Sequence, residues 1–147
     1  MNKDNIVDIL LIEDSPTDIE LTLRALKKNH IANKISVITD GAEAMECLFG
    51  DENILSEQSK CNPRVIILDL KLPKVNGLEI LRKLKETVET KSIPVVVLTS
   101  SREERDIIES YKLGVNSYIV KPVDFDKFLK SVNEIGMYWM LLNESPR

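Results

Sequence analysis

The stretch Val65-Ile66-Ile67-Leu68-Asp69 lies near the middle of the chain and places four apolar side chains directly before a carboxylate. A second run, Val95-Val96-Val97-Leu98, is followed in the same way by the hydroxyl of Thr99. Short β-branched runs that are apolar throughout are typical of strands buried on both faces of a sheet. The two runs therefore predict central strands of a sheet that is covered on both sides by helices.

Strand-like runs alternate with segments of helical periodicity along the chain. The predicted strands are residues 7–12, 34–38, 64–68, 94–98 and 116–120. The capping-box spacing of Asp40 with Glu43, and of Ser101 with Glu104, predicts helices that begin after the second and fourth strands. Pro16, with Asp14 or Ser15 as the cap before it, predicts a helix start after the first strand. Apolar stripes at helical spacing predict three buried helix faces. They are Ile19, Leu23 and Leu26; Leu78, Leu81, Leu84 and Val88; and Phe125, Phe128, Leu129, Val132 and Ile135. This alternation predicts an α/β fold with five parallel strands and five helices.

Length and composition favour one domain. The chain has 147 residues, of which 43% are hydrophobic, enough for one continuous core over residues 1–147. Residues 50–63 are polar and are predicted to form a surface loop. Lys and Arg number 20 against 24 for Asp and Glu, so the formal net charge of -4 argues against direct binding to nucleic acid.

The cysteines and the start of the chain bear on its compartment. Cys47 and Cys61 have no metal-ligand spacing and are expected to behave as small hydrophobic residues without chemistry. The first residues do not resemble a signal peptide, and no apolar run approaches the ~20 residues of a membrane span. A reducing cytoplasm is the expected location, with no membrane partner.

Polar side chains follow four of the predicted strands. Glu13 and Asp14 follow the first, Asp69 the third, Thr99 the fourth and Lys121 the fifth. In an open parallel sheet these strand ends share the edge where ligands bind. Crowded carboxylates repel each other unless a cation compensates, and Mg²⁺ accepts one or two carboxylates together with water and phosphate oxygens. A carboxylate nucleophile, a metal, an ammonium and a hydroxyl together suit phosphoryl transfer.

Each of these residues also has a structural interpretation. Asp14 could cap the first helix, Glu13 could be a solvated loop residue, and Lys121 could be an ordinary surface lysine. Thr99 could simply precede a helix cap. The functional interpretation is favoured because all of these separate explanations would have to hold together at successive strand ends.

Four segments in order resemble the response-regulator receiver domain of two-component signalling, the CheY-like domain. They are Leu11-Ile12-Glu13-Asp14-Ser15; Ile66-Ile67-Leu68-Asp69-Leu70-Lys71-Leu72-Pro73 with Gly77; Val97-Leu98-Thr99-Ser100; and Tyr118-Ile119-Val120-Lys121-Pro122. The resemblance covers almost the whole chain. It implies a doubly wound, flavodoxin-like (βα)5 fold whose parallel strands have the order 2-1-3-4-5.

The resemblance also implies roles at the acidic edge. Asp69 would accept a phosphoryl group from a histidine kinase, in a Mg²⁺-dependent self-phosphorylation followed by slow dephosphorylation. Asp14 and Asp69 would bind Mg²⁺ directly, Glu13 largely through metal-bound water, and Lys71 through its backbone carbonyl. Lys121 would then pair with a phosphoryl oxygen.

Further residues would transmit or tune the signal. Thr99 would move to bind the phosphoryl group, and Tyr118 would rotate into the space it leaves, which would change the surface formed by the fourth helix, the fifth strand and the fifth helix. Tyr118 could alternatively be a half-buried strand aromatic. Pro122 matches a cis position, and Lys71 and Ser101 match variable positions that tune the lifetime of the acyl phosphate.

The end of the chain, residues 136–147, is interpreted as a C-terminal extension. It resembles that of small stand-alone receivers that partner phytochrome-type histidine kinases. Trp139 and Met140 predict weak self-association, since Trp and Met are enriched at interface cores. The alternative is that Trp139 covers the end of the domain's own core. The downstream protein target is not predicted.

Other functions fit the sequence less well. Haloacid-dehalogenase-type phosphohydrolases also use a strand-end aspartate, but a general acid follows two residues later, where this chain has Lys71. A dinucleotide-binding module would need G-x-G-x-x-G after the first strand, and this motif is absent. A receiver that has lost phosphorylation would not be expected to keep the full acidic set. The sequence therefore favours a phosphoacceptor switch over an enzyme.

Overall fold

The computed structural model describes residues 6–28, 34–50, 61–122, 126–128 and 130. Five parallel strands form one sheet in the order β2-β1-β3-β4-β5, which confirms the predicted doubly wound α/β architecture. The strands are β1 (Ile6–Ile12), β2 (Ile35–Ile38), β3 (Asn62–Leu68), β4 (Val95–Thr99) and β5 (Ser117–Val120). The helices are α1 (Pro16–Lys28), α2 (Gly41–Phe49), α3 (Gly77–Glu86) and α4 (Glu104–Lys112), and residues 126–128 and 130 are also helical.

The two central strands are buried on both faces, as their composition predicts. Alternate side chains of each strand point to opposite faces of the sheet, so β3 sends Ile66 and Leu68 into one core and Val65 and Ile67 into the other. The first core is completed mainly by α2 and α3, and the second by α1 together with Phe128. Because helices cover both faces, functional side chains can reach solvent at the ends of the strands.

Two helix predictions are wrong in detail. Val88 lies beyond α3 and is 74% exposed, because the chain turns out of the helix at Thr87, whose backbone is extended and whose hydroxyl donates to the Lys83 carbonyl. The helix α4 begins at Glu104, with Glu103 at the N-cap. Ser101 is therefore not its cap, and its buried hydroxyl donates instead to the side chain of Asp106 at 2.6 Å.

The capping prediction for α2 is confirmed, because Asp40 accepts a hydrogen bond from the Glu43 amide at 2.7 Å. Strand boundaries differ from the predicted ones by one or two residues. The largest change is at β3, which begins at Asn62 and takes the last two residues of the predicted loop 50–63. Residues 51–60 of that loop, most of the predicted last helix and the extension 136–147 lie outside the described residues.

The two cysteines are joined in a disulfide, contrary to the expectation that they are chemically inert. Cys47 lies in the last turn of α2 and Cys61 directly precedes β3, so the crossover from helix to strand brings their Cα atoms to 5.2 Å. The Cys61 amide also donates to the Cys47 carbonyl at 2.6 Å. The spacing of the two residues in the sequence did not indicate this contact, which the packing of α2 beside β3 creates.

None of the described helices combines the length and the apolar character that crossing a bilayer requires.

Candidate functional site

The predicted site residues meet at the carboxyl edge of the sheet. The strands β1 and β3 are neighbours, yet β1 leads through α1 to β2 on one side and β3 leads through α3 to β4 on the other. Such a switch point leaves a crevice at the strand ends. The residue that follows each of these two strands is held to the neighbouring strand by a backbone hydrogen bond. The Glu13 amide donates to the Ile38 carbonyl at 2.9 Å, and the Asp69 amide donates to the Ile12 carbonyl at 3.0 Å.

Three carboxylates form an acidic cluster in this crevice. Carboxylate oxygens of Glu13, Asp14 and Asp69 lie within 4.8 Å of one another. Glu13 and Asp69 are buried, with 1% and 4% of their surface exposed, whereas Asp14 is open to solvent. A small group of carboxylate oxygens suits a hard divalent cation such as Mg²⁺, whose remaining ligands are water molecules and phosphate oxygens. The residues present therefore fit the metal that the sequence predicts.

The ammonium of Lys121 lies among the acids. Its Nζ atom is 2.7 Å from Glu13 Oε1, 2.9 Å from Asp18 Oδ2 and 3.2 Å from Asp69 Oδ2. Burial by itself lowers the pKa of Lys121, but the hydrogen bonds to Glu13 and Asp18 outweigh it and hold the pKa above its ordinary value. Lys121 is therefore a cation that balances the acidic cluster.

Glu13 has the most strongly perturbed carboxyl group of the site. Burial raises its pKa to about 7, and the hydrogen bond from Lys121 only partly offsets this effect. The nearby charge of Asp69 also contributes to this raised pKa. Without a bound cation, Glu13 therefore exchanges a proton near neutral pH.

Asp69 is oriented through both of its oxygens. The Lys71 amide donates to Oδ1 at 3.0 Å, and Lys121 contacts Oδ2 at 3.2 Å. The turn that brings the Lys71 amide back to Asp69 depends on Gly77 at the start of α3, since a Cβ atom there would lie 2.5 Å from the Asp69 carbonyl oxygen and from the Leu70 Cα atom. Glycine is required at this position because the helix start packs directly on the strand end.

The predicted switch residues are linked through Ser101. Thr99 is fully buried, and its hydroxyl accepts a hydrogen bond from the Ser101 amide at 3.3 Å. Tyr118 is half-buried, packs against the core and donates its hydroxyl to the Ser101 carbonyl at 3.1 Å. Burial raises the pKa of Tyr118, so its hydroxyl keeps the donated proton. The peptide bond between Lys121 and Pro122 is cis, as the resemblance implies.

Ser101 and Lys71, the two predicted tuning positions, converge on Asp106 in the first turn of α4. The Ser101 hydroxyl donates to Asp106 Oδ2 at 2.6 Å, and Lys71 Nζ lies 4.0 Å from the same atom. Asp106 is buried, with 5% of its surface exposed. These two contacts connect the start of α4 with Ser101, which follows β4, and with Lys71, which follows β3.

Sequence reasoning missed Asp18 and Asp106 as site residues. Asp18 stands four positions after Asp14, in the first turn of α1, and that spacing was an available signal that an acid points back to the strand edge. No comparable signal marks Asp106, because its role depends on how α4 packs. Trp139 and Met140 lie outside the described residues.

Known proteins share this fold and sequence pattern. Residues 9–133 match the response regulator receiver domain family. The response regulator Rcp1 of Synechocystis sp. is 39% identical over 132 residues, which cover 90% of this chain and 88% of Rcp1. The probable methanogenesis regulatory protein FilR2 of Methanothrix harundinacea is 38% identical over 94% of this chain and 86% of its own length.

Solved structures agree. The bacteriophytochrome response regulator RtBRR is 48% identical, with a TM-score of 0.76 over 96% of this chain and 84% of its own. The Mn²⁺-bound form of Rcp1 is 37% identical, with a TM-score of 0.76 over 96% of this chain and 99% of its own. The phosphorylated cyanobacterial phytochrome response regulator RcpA is 36% identical, with a TM-score of 0.73 over 95% and 96%. Relatives of this kind act in phosphorelay signalling, and this chain belongs to the response regulator receiver domain family.

Proposed function

We propose that Asp69 is the phosphoacceptor of this receiver and takes its phosphoryl group from the phosphohistidine of a sensor kinase. The observation that carries the proposal is the position of Asp69: it is buried at the switch point, within 4.8 Å of two other acids, with the Lys121 ammonium 3.2 Å from Oδ2. Phosphoryl transfer mainly requires positioned groups and charge stabilisation, and these contacts supply both.

In the proposed reaction an oxygen of Asp69 forms a bond to phosphorus while the bond from phosphorus to the histidine nitrogen breaks. The leaving imidazole takes up a proton, and Asp69 becomes an acyl phosphate. Asp14, Asp69 and the Lys71 carbonyl would hold Mg²⁺ directly, with Glu13 acting largely through water, and the ion would supply charge stabilisation to the transferred group. The Mn²⁺-bound structure of the relative Rcp1 supports a divalent cation at this acidic set.

Lys121 has a second task in this proposal. Its ammonium, now paired with acids, would move to an oxygen of the incoming phosphoryl group. The Thr99 hydroxyl, which now accepts a hydrogen bond from the Ser101 amide, would donate a hydrogen bond to another phosphoryl oxygen. This movement of Thr99 would change the position of the Ser101 amide. Tyr118 donates a hydrogen bond to the Ser101 carbonyl, so it would move with Ser101 and change the surface formed by α4, β5 and the last helix. Lys71 and Ser101 would set the lifetime of the acyl phosphate.

The main rival is hydrolysis of phosphate esters, and the site supports it poorly. A phosphohydrolase of the haloacid-dehalogenase type needs an acid two residues after its nucleophile, to protonate the leaving group. Lys71 occupies that position, and its side-chain nitrogen lies 4.0 Å from Asp106. We therefore propose a switch that holds its phosphoryl group, without turnover of phosphate esters.

The proposed upstream partner is a phytochrome-type histidine kinase in the cytoplasm. The names of three similar structures support this partner, because RtBRR and AtBRR are bacteriophytochrome response regulators and RcpA is a phytochrome response regulator. The output would be a downstream protein, since the formal net charge of -4 leaves no excess of positive charge to neutralise a nucleic acid. Weak self-association through Trp139 and Met140 is also part of the proposal.

The proposal is tested by incubating the protein with Mg²⁺ and acetyl phosphate and measuring its intact mass. We expect a gain of one phosphoryl group that requires Mg²⁺ and disappears in hydroxylamine, because acyl phosphates react with this nucleophile. The variant Asp69→Asn is isosteric and should gain no mass under the same conditions.

A matched control keeps the interpretation specific. Glu20 lies on the exposed side of α1 and pairs with Arg24, so Glu20→Gln should be phosphorylated as the unaltered protein is. An unchanged mass at saturating acetyl phosphate would contradict the acceptor proposal. Steady release of product from p-nitrophenyl phosphate that is lost in Asp69→Asn would instead support the phosphohydrolase.

A further inference from the structure

Asp18 is a fourth carboxylate at the site, but it stands apart from the acidic cluster. Glu13, Asp14 and Asp69 approach one another within 4.8 Å, whereas Asp18 makes its contact with the Lys121 ammonium, at 2.9 Å. This distance is shorter than the 3.2 Å from Lys121 to Asp69. The ammonium is therefore held from the α1 side as well as from the strand ends.

A cation bound at the acidic cluster would take carboxylate partners away from Lys121, and Asp18 is placed to replace them. A divalent ion at the acidic cluster competes with Lys121 for Glu13 and Asp69, which are both nearly fully buried. The Lys121 side chain is itself only 13% exposed, so an ammonium that lost these two partners would be poorly hydrated. A buried charge left without a partner is costly, and that cost would subtract from the affinity for the ion.

We propose that Asp18 is a positioning residue that keeps the Lys121 ammonium paired while a divalent cation occupies Glu13 and Asp69. The proposal rests on the metal-binding part of the proposed function. Asp18 holds Lys121 at the rim of the site, from which the ammonium can turn to a phosphoryl oxygen without first becoming unpaired.

The local structure supports a fixed position for Asp18. It lies in the first turn of α1, where its amide donates to the Ser15 hydroxyl at 3.4 Å and where a negative charge is favoured by the helix dipole. Its side chain is 31% exposed, so its own charge stays hydrated more easily than that of Glu13. Asp18 can therefore stay paired with Lys121 whether or not the cation is present.

The test is a double-mutant cycle on Mg²⁺ affinity, measured by isothermal titration calorimetry on the complete chain. Asp18→Asn is compared with the unaltered protein, and the same change is made in a Lys121→Met background. The control Glu20→Gln removes an exposed carboxylate from the same helix without removing a contact to Lys121. Thermal unfolding of each variant verifies that the fold is intact, with Asp18→Ser as a second replacement at the same position.

We expect Asp18→Asn to weaken Mg²⁺ binding about three- to tenfold, because the displaced ammonium loses its remaining acid. The control Glu20→Gln should change the affinity by less than about twofold, as expected for a screened surface charge. In the Lys121→Met background no ammonium is displaced, so the penalty for Asp18→Asn should shrink severalfold.

Equal penalties in both backgrounds would overturn the proposal and show that Asp18 acts on the cation directly. An unchanged affinity in Asp18→Asn would overturn it as well. Both outcomes would leave metal binding by the receiver intact. Absence of Mg²⁺ binding in the unaltered protein would be a different result, because the metal-binding part of the proposed function would then fail together with this inference.

Discussion

Glu13 is a carboxyl group that lies almost entirely out of water. It is 1% exposed, lies next to the charge of Asp69 and has a pKa of about 7. A protonated carboxyl group binds a divalent cation poorly, so the proton and the cation compete for the same oxygens. We therefore expect the binding of a divalent cation at this site to depend on pH near neutrality.

This coupling predicts that Mg²⁺ affinity rises with pH. With a pKa of about 7, the ionised fraction of Glu13 increases about tenfold between pH 6 and pH 8, and the affinity should increase by a similar factor. A Glu with an ordinary pKa would already be ionised at pH 6 and would give an almost constant affinity. Calorimetric titrations at a series of pH values distinguish the two results.

The control for this experiment is Glu13→Gln, which has no titrating group at that position. Its affinity for Mg²⁺ should be lower and nearly independent of pH from 6 to 8. The same steep pH dependence in Glu13→Gln would assign the proton to another group and contradict the role given to Glu13.

The junction between β3 and α3 is the element that orients Asp69, the proposed phosphoacceptor. The Gly77 amide donates to the Leu70 carbonyl at 2.9 Å. This hydrogen bond joins the start of α3 to the turn that follows Asp69. An added side chain at Gly77 would meet backbone atoms, which cannot rotate away. The geometry of Asp69 thus depends on a residue that has no functional group of its own.

We expect Gly77→Ala to lower the free energy of unfolding by about 2 kcal/mol or more, because backbone has to shift to make room. Phosphorylation by acetyl phosphate should slow as well, since the shift moves Asp69. The measurements are urea unfolding and the initial rate of mass gain.

Gly114 provides a matched comparison. It has a positive φ of 93°, but the space that a Cβ atom would occupy is open, so Gly114→Ala should cost only about 1 kcal/mol and leave phosphorylation unchanged. If Gly77→Ala were no more destabilising than Gly114→Ala, the proposed close packing of α3 on β3 would be wrong.

The central strands and the residues at their ends could be predicted from the sequence alone. The apolar runs of β3 and β4 predicted central strands, because a strand buried on both faces needs no alternation. Strand ends in a parallel sheet share an edge, so the same runs also placed Asp69 and Thr99 together. Asp18 was missed because it does not directly follow a strand, although it reaches the same edge from the first turn of α1.

Other features depend on tertiary contacts that no local pattern encodes. The apolar spacing of Val88 continues the α3 stripe, but the Thr87 hydroxyl caps the helix before that position is reached. Ser101 has the spacing of a capping residue, but a buried carboxylate on α4 takes its hydroxyl. The pairing of Cys47 with Cys61 required the position of α2 beside β3.

For the whole molecule, the disulfide between Cys47 and Cys61 closes a loop with a sequence separation of 14 residues. A cross-link of this length restricts the unfolded chain and stabilises the folded state by about 3 kcal/mol in the chain-entropy description. The stability of this receiver should therefore depend on the redox state of its surroundings.

We expect dithiothreitol to lower the free energy of unfolding by about 3 kcal/mol in the unaltered protein. The double variant Cys47→Ser, Cys61→Ser should unfold at the same urea concentration with and without reductant. An unfolding curve of the unaltered protein that does not respond to the reductant, after thiol titration shows both sulfurs reduced, would contradict this prediction.

The central claim for the molecule is that one particular carboxylate of the acidic edge receives the phosphoryl group. The most direct measurement is to phosphorylate the protein with acetyl phosphate and Mg²⁺, reduce the acyl phosphate with borohydride and sequence the peptides by mass spectrometry. Reduction converts a phosphorylated aspartate into homoserine, and we expect homoserine at position 69. Homoserine at position 14 or 18, or at neither of these nor at position 69, would contradict the assignment of Asp69 as the phosphoacceptor.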